Sequence, residues 1–141
     1  MARRFEMHWS DFGITIPVEL NDAQNPKLCE EFWQGLPFET IFAGSMSAGE
    51  MFKVPIPFVL PSEPEGGLVY FPDQPVGTVV SLSSLSSILI RYGMVEEPFR
   101  LPKLGMVPDS DLPKLKEVAM KIRDAYFFTK HIYLATLRRG V

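Results

Sequence analysis

The stretch from Gly67 to Gly93, GLVYFPDQPVGTVVSLSSLSSILIRYG, constrains the fold of this chain more than any other. Short apolar runs at Leu68 to Phe71, Thr78 to Leu82 and Ile88 to Tyr92 are separated by Asp73-Gln74-Pro75 and by a serine-rich insert. Runs of this length bounded by Pro, Gly and Ser read as strands joined by turns. The serines Ser81, Ser83, Ser84, Ser86 and Ser87 stand where a sheet protein normally buries hydrocarbon, and a polar inlay between apolar strands points to a lined cavity. The segment Ser45 to Pro57, SMSAGEMFKVPIP, adds a carboxylate, Glu50, at the entrance of another apolar strand. Both features point to a small-molecule pocket on a compact, mainly-β domain.

The rest of the chain agrees with that class. Phe5, Met7 and Trp9 alternate with Glu6 and His8, and after Ser10-Asp11-Phe12-Gly13 the residues Ile14, Ile16 and Val18 alternate again, which predicts a hairpin. Pro17 has no N–H to give to a ladder, so the second strand is expected to be an edge or bulged there. Asn25 is expected to cap a helix from Pro26 to about Gln34, with Leu28, Phe32, Trp33 and Leu36 as its buried stripe and Gly35 as its stop. Apolar β-leaning runs follow at Phe38 to Ala43 and Glu50 to Phe58, parted by the small-residue loop Gly44 to Gly49, and Pro61 to Gly67 breaks the chain again. Val95 to Pro108 carries three prolines and no sustained period, and reads as an excursion over the surface. A second helix is expected from about Asp111, buried through Leu115, Val118, Ala119, Ile122 and Tyr126, with Lys114, Lys116, Lys121 and Arg123 on its wet side. His131 to Leu137 reads as a closing strand. Strands this short and this often hairpin-linked do not make a doubly wound sheet. A closed or nearly closed antiparallel barrel capped by two helices removes the exposed edges at least cost.

Composition bounds the function. A chain of 141 residues is the usual size of one domain. With 14 basic and 17 acidic residues the net charge is -3, and Arg3-Arg4 and Arg138-Arg139 are the only basic clusters, which disfavours a nucleic-acid surface. One cysteine, Cys29, excludes an intrachain disulfide and fits a reducing, cytoplasmic setting. No apolar run approaches the roughly 18 residues of a membrane span, and no signal-peptide core follows Arg3-Arg4.

The order of elements resembles the cyclophilin-like barrel. The AGEMF-x-x-P-I-P segment at Ala48 to Pro57, GLVYFP at Gly67 to Pro72, the polar stretch leading into Ile88-Leu-Ile-Arg-Tyr-Gly93, and the terminal helix followed by a strand are similar to a family of small bacterial cyclophilin-like proteins of uncharacterised function, related to the barrel domain of cucumopine synthase. Cucumopine synthase joins histidine to 2-oxoglutarate through an imine and a ring closure without metal or organic cofactor, and carries an additional helical domain for which this chain has no room. The resemblance implies a pocket and proton-transfer chemistry, not that substrate pair. The prolyl-isomerase pattern, an Arg followed by a Phe-x-x-Gln strand, is not evident.

Glu50 and Tyr70 are the catalytic candidates, and Arg91, Ser86, Ser87, Met51, Phe38 and His8 the ligand-binding ones. Glu50 in an apolar pocket would have its pKa raised by desolvation and serve as a general base; as an exposed strand-end glutamate it would only solubilise the loop. Tyr70 and Tyr92, at corresponding ends of neighbouring strands, could donate phenolic hydrogen bonds or simply pack. The serines form either a hydroxyl-lined patch for a carboxylate or amide, or a hydrophilic loop; no Gly-x-Ser-x-Gly elbow marks a nucleophile. Arg91 either grips a carboxylate or is a solvated strand charge on the face opposite Ile88 and Ile90. Phe38, Met46, Met51 and Phe52 read as core and cavity wall. His8 and His131, the only imidazoles, sit on expected strands without metal-site spacing. These readings lead to a cofactor-independent enzyme acting on a small polar carboxylate-bearing metabolite by isomerisation, lyase action or imine-linked condensation. The competing expectation is a non-catalytic binding module. Phe99, Leu101, Leu104 and Met106, if exposed in the Pro-rich excursion, would suit a homo-oligomer interface.

Overall fold

The computed structural model describes residues 2–45, 47–60 and 65–141, so the wall role expected of Met46 and the turn at 61–64 lie outside the described residues. Strands β1 (Arg4–Trp9) and β2 (Ile14–Leu20) form the expected hairpin, with Phe5, Met7 and Trp9 paired to Val18, Ile16 and Ile14 and turned into the core. A further strand reaches β2 only at Glu19 and Leu20, so the missing donor of Pro17 falls where β2 has one neighbour. Helix α1 spans Pro26–Gln34 and buries Leu28, Cys29 and Phe32. Asn25 stands at its N-cap position but does not cap it: its amide donates to Lys103 O at 2.9 Å and its carbonyl accepts from Gly66 N at 2.7 Å, which corrects the expected role. Burial drives the side chain to link α1 to two distant segments instead of to its own first turn. Burial also pushes the Cys29 thiol up to about 12.

Strands β3 (Phe38–Ile41), β4 (Ala43–Gly44), β5 (Gly49–Pro55), β6 (Leu68–Tyr70), β7 (Thr78–Leu82), β8 (Ser87–Val95), β9 (Arg100–Met106) and β10 (Leu134–Arg139), with helix α2 (Leu112–Phe128) before β10, complete the described elements. The main sheet runs β3-β10-β1-β2-β9-β7-β8-β5-β4, antiparallel throughout, with β6 added to β9. Its end strands β3 and β4 are separated in the chain by Phe42 alone, so one continuous segment passes from one edge of the sheet to the other and rolls it into a nearly closed barrel. Across that seam Thr40 Oγ1 donates to Pro55 O at 2.6 Å.

The segment Val95 to Pro108 is not a surface excursion. It contains β9, which pairs with β2, β6 and β7 near the middle of the sheet. Pro102 sits where β9 leaves β6 and joins β7, whose pairing begins at Lys103 beside a register shift at Val79 and Val80. A proline is tolerated at such a break. Leu104 is fully buried, Phe99 and Leu101 pack half-buried against a hydrophobic cluster, and Met106 is half-buried, so none of the four is an exposed loop side chain.

That cluster, Ala48, Met51, Phe71, Val80, Leu89 and Val95, is the smaller of two. The main core fills the barrel with residues such as Trp9, Phe52, Ile88, Ile90, Leu104 and Leu137 beneath the apolar faces of the helices. Successive β8 residues divide between the clusters, which is why β8 reads as a continuous apolar run. Each fully buried large side chain contributes about 1.5–3 kcal/mol. The stripe of α2 ends on Ala125 and not on Tyr126, which is 51% exposed. Strand β10 starts at Leu134, leaving His131 exposed before it. Among the described residues no helix is long and apolar enough to cross a membrane.

Candidate functional site

A groove of about 490 Å³ opens where the first residues of β5 and the end of β8 meet α2. Gly49 and Glu50 on β5, Tyr92 on β8, and Arg123, Phe127 and Phe128 from α2 line it, with Ser45 at the rim. The strand register explains how Glu50 comes to point there. Gly49 pairs with Val95 but Met51 with Arg91, so Tyr92, Gly93 and Met94 all face Glu50 across a bulge. A bulge re-aims side chains and is common beside binding sites. Gly93 makes the arrangement possible, because a Cβ there would stand 2.5 Å from Glu50 Oε1 and 2.7 Å from Cδ. Gly49 takes a left-handed φ of +110°, with the Met94 carbonyl against the position of a Cβ.

Helix α2 supplies the opposite wall. Lys116, Arg123 and Phe127 recur at i, i+7 and i+11, one stripe of a 3.6-residue helix, so on the wet side expected for Lys116 and Arg123 the latter lines the groove with Phe127 and Lys116 sits beside it. Lys116 Nζ donates to Glu50 Oε2 at 3.0 Å and lies 5.5 Å from the centre of the Tyr92 ring. The Met94 N–H donates to Glu50 Oε1 at 3.3 Å. Tyr92 is buried against Phe52, ring centres 4.8 Å apart, and desolvation raises its phenol above the ordinary range. Arg123 makes no hydrogen bond or ion pair among the described residues.

The charge state of Glu50 differs from expectation. Its carboxyl is lowered, not raised, because the hydrogen bond from Lys116 outweighs desolvation, with the Met94 N–H and the charges of Lys116 and Arg123 adding to it. The folded value lies below the ordinary 4.5, so the pair's contribution is complete above that pH and disappears as the pH falls through the folded value. At neutral pH Glu50 is a carboxylate held by an ammonium.

The other candidates are not gathered at the groove. Arg91 lies opposite Ile88 and Ile90, as the alternation requires, but that face is covered and the residue is only 7% exposed. Its Nη1 donates to the carbonyls of Phe71, Pro72 and Gln74 at 3.3, 3.1 and 2.6 Å, and Nε and Nη2 donate to Gly93 O at 3.0 and 2.7 Å. Arg91 therefore clamps the turn after β6 to β8 and has no free edge for a substrate anion. The serine-rich insert is the β7–β8 connection: Ser83–Leu85 form a 3-10 turn, Ser86 takes φ 46°, and Ser87 Oγ donates to Leu85 O at 2.9 Å. Ser86 and Ser87 thus shape a hairpin and line no part of the groove. Tyr70 is on β6, which pairs with β9, whereas Tyr92 is on β8 between β5 and β7, so the two are not on neighbouring strands. The Arg100 guanidinium covers the Tyr70 ring at 4.7 Å.

Met51 belongs to the smaller core, and Phe38 joins an aromatic group with Phe32 and Phe58 at 6.3 and 5.7 Å. His8 faces away from the main core, its Nδ1 2.8 Å from Thr15 Oγ1. None of these three lines the groove. Among the described residues no group of three or more His, Cys, Asp or Glu side chains is placed to hold a metal ion. The residues missed from sequence, Lys116, Arg123, Phe127 and Phe128, carry one signal that could have found them: a basic and aromatic stripe on a helix whose opposite face is buried.

Fold and site define a nearly closed antiparallel barrel with a charged, aromatic-walled groove at one mouth. Solved structures similar to it include the following two. The structure of McbB in complex with tryptophan matches with a TM-score of 0.87 and 26% identity, over 96% of this chain and 44% of that one. This chain therefore spans less than half the length of McbB. The solution structure of the hypothetical protein AF2241 from Archaeoglobus fulgidus matches with a TM-score of 0.67 over 99% of this chain and 95% of that one, at 11% identity, a likeness of fold alone. No protein-family model matches the chain. No curated protein matches it.

Proposed function

We propose that this chain is a cofactor-independent enzyme that binds a small aromatic, carboxylate-bearing metabolite in the α2 groove, with Glu50 as its proton acceptor. The observation that carries this reading is the juxtaposition, within one groove, of the Glu50 carboxylate, the Arg123 guanidinium and the aromatic side chains of Tyr92, Phe127 and Phe128. The guanidinium is suited to a ligand carboxylate and the rings to an aromatic or heteroaromatic side chain. Tryptophan has both parts, and its presence in the structurally similar McbB supports this class of ligand.

The chemistry is proton transfer, and the imine-linked condensation implied by the cucumopine synthase resemblance suits an amino-acid substrate best. Glu50 removes a proton from the substrate ammonium, the amine adds to the carbonyl of an aldehyde or 2-oxo acid, and water leaves as the imine forms. Glu50 in its resting ion pair is a weak base. A ligand that covers the carboxyl shields it from water, and that desolvation moves its pKa upward even as the ligand's ammonium takes the place of Lys116.

Calorimetric titration with L-tryptophan, and mass spectrometry of mixtures of L-tryptophan with a panel of aldehydes and 2-oxo acids, test the reading. Binding that weakens at least tenfold in Arg123→Ala is expected, as is condensation that falls at least a hundredfold in Glu50→Gln, in keeping with the usual worth of a general base. Full turnover by Glu50→Gln would remove the base. Binding without condensation would favour the non-catalytic module, and absence of binding by every aromatic amino acid would remove the ligand class.

A further inference from the structure

We infer that the Glu50 carboxylate and the face of Tyr92 form a subsite for a primary ammonium group, and that Lys116 occupies it in the free protein as a built-in competitor of the ligand. The inference rests on the proposed ligand class and adds what selects within it.

The geometry is that of ammonium recognition. Lys116 Nζ is 3.0 Å from Glu50 Oε2 and 5.5 Å from the centre of the Tyr92 ring, so one ammonium meets a carboxylate and an aromatic face together. Both partners are fixed. Glu50 is held by the Met94 N–H across bare Gly93, and Tyr92 is packed on Phe52. Lys116 is the movable part: its side chain is 50% exposed and reaches the site on a flexible four-carbon stem. Its ammonium also sits beside the groove that Glu50 and Tyr92 line. A ligand whose ammonium satisfies Glu50 replaces like with like, and Lys116 swings into water at little cost because exposed pairs are weak. A ligand without an ammonium must either leave the Lys116 pair in place or strip Glu50 of its partner, so the subsite selects for amines.

The test compares L-tryptophan, tryptamine and indole-3-propionate, which lacks the ammonium, by calorimetry on wild-type protein and on Lys116→Met, which keeps the packing of the stem. Lys114→Met controls for the loss of one positive charge, since residue 114 lies about 160° around the helix from residue 116. Lys116→Met is expected to bind tryptamine and L-tryptophan about fivefold more tightly, the equivalent of about 1 kcal/mol. Indole-3-propionate should gain nothing, Lys114→Met should behave as wild type, and the double variant Lys116→Met, Glu50→Gln should lose the gain.

Unchanged or weaker binding of the two amines by Lys116→Met, with the indole ligands still bound, would overturn the competitor while leaving the proposed ligand class standing. Equal gains for indole-3-propionate would overturn the ammonium subsite in the same way. No binding of any of the three compounds to either protein would overturn both readings.

Discussion

Arg91 and Glu50 show how the role of a charged side chain depends on what the backbone around it does. Both are charged residues on apolar strands. Arg91 meets the carbonyls of Phe71, Pro72 and Gln74 in the turn after β6 and becomes a structural clamp, because a buried guanidinium must be met by acceptors. Glu50 meets an N–H and a lysine at the edge of solvent and stays an accessible carboxylate. Replacing Arg91 by Lys is therefore expected to cost about 2–4 kcal/mol of stability, since an ammonium cannot reach all four carbonyls. Urea denaturation measures the loss. Tryptophan affinity per folded molecule should stay within twofold of wild type, and a large loss of affinity with unchanged stability would return Arg91 to the binding site.

At the scale of elements, regular segments were legible and conditional ones were not. The β1–β2 hairpin, α1 and β7 follow from alternation, helical spacing and turn residues, and their bounds agree with expectation. Strand β9 was not legible because Pro102 and Gly105 break its pattern, and both are tolerated for reasons outside the segment. Pro102 stands at a change of partner. Gly105 lies where β9 crosses β2, and a Cβ there would stand 2.5 Å from Glu19 O and 2.9 Å from Val18 Cγ1. Gly105→Ala should then destabilise the protein by about 1–3 kcal/mol through the wedge it drives between the strands. Thermal denaturation reads the effect, and a neutral result would mean that β9 does not make this crossing.

For the whole molecule, the N-terminal strand is tied to the helical layer by charge. Arg3 donates to Asp22 through its backbone N–H, Nε and Nη2 at 3.0, 3.3 and 2.8 Å, and through Nη1 to Glu30 of α1 at 2.6 Å. The Arg3 hydrogen bonds, opposed by desolvation, hold the Asp22 carboxyl below its ordinary 3.8. A depressed carboxyl stabilises the fold above its unfolded pKa and loses that contribution as the pH falls through the folded value. Asp22→Asn should therefore be less stable than wild type by about 1–2 kcal/mol at neutral pH. The gap should close at pH values below 3.8, as chemical denaturation across a pH series would show. A gap that stayed constant with pH would assign the effect to packing.

The sequence by itself determined the class of fold and brought forward two residues of the groove, Glu50 and Tyr92. Local patterning states which side chains prefer burial, and in a chain of short strands that suffices for a barrel with helical caps. It also marked Glu50, since a carboxylate at the mouth of an apolar strand is conspicuous without any partner. Only the tertiary structure decided what Glu50 faces. Its neighbours Gly93, Met94, Lys116 and Arg123 lie 43 to 73 residues along the chain, and a strand bulge and a helix crossing bring them together. The serine-rich insert and Arg91 went the other way, from expected ligand contacts to a turn and a clamp, because backbone hydrogen bonds made by distant segments claimed them first.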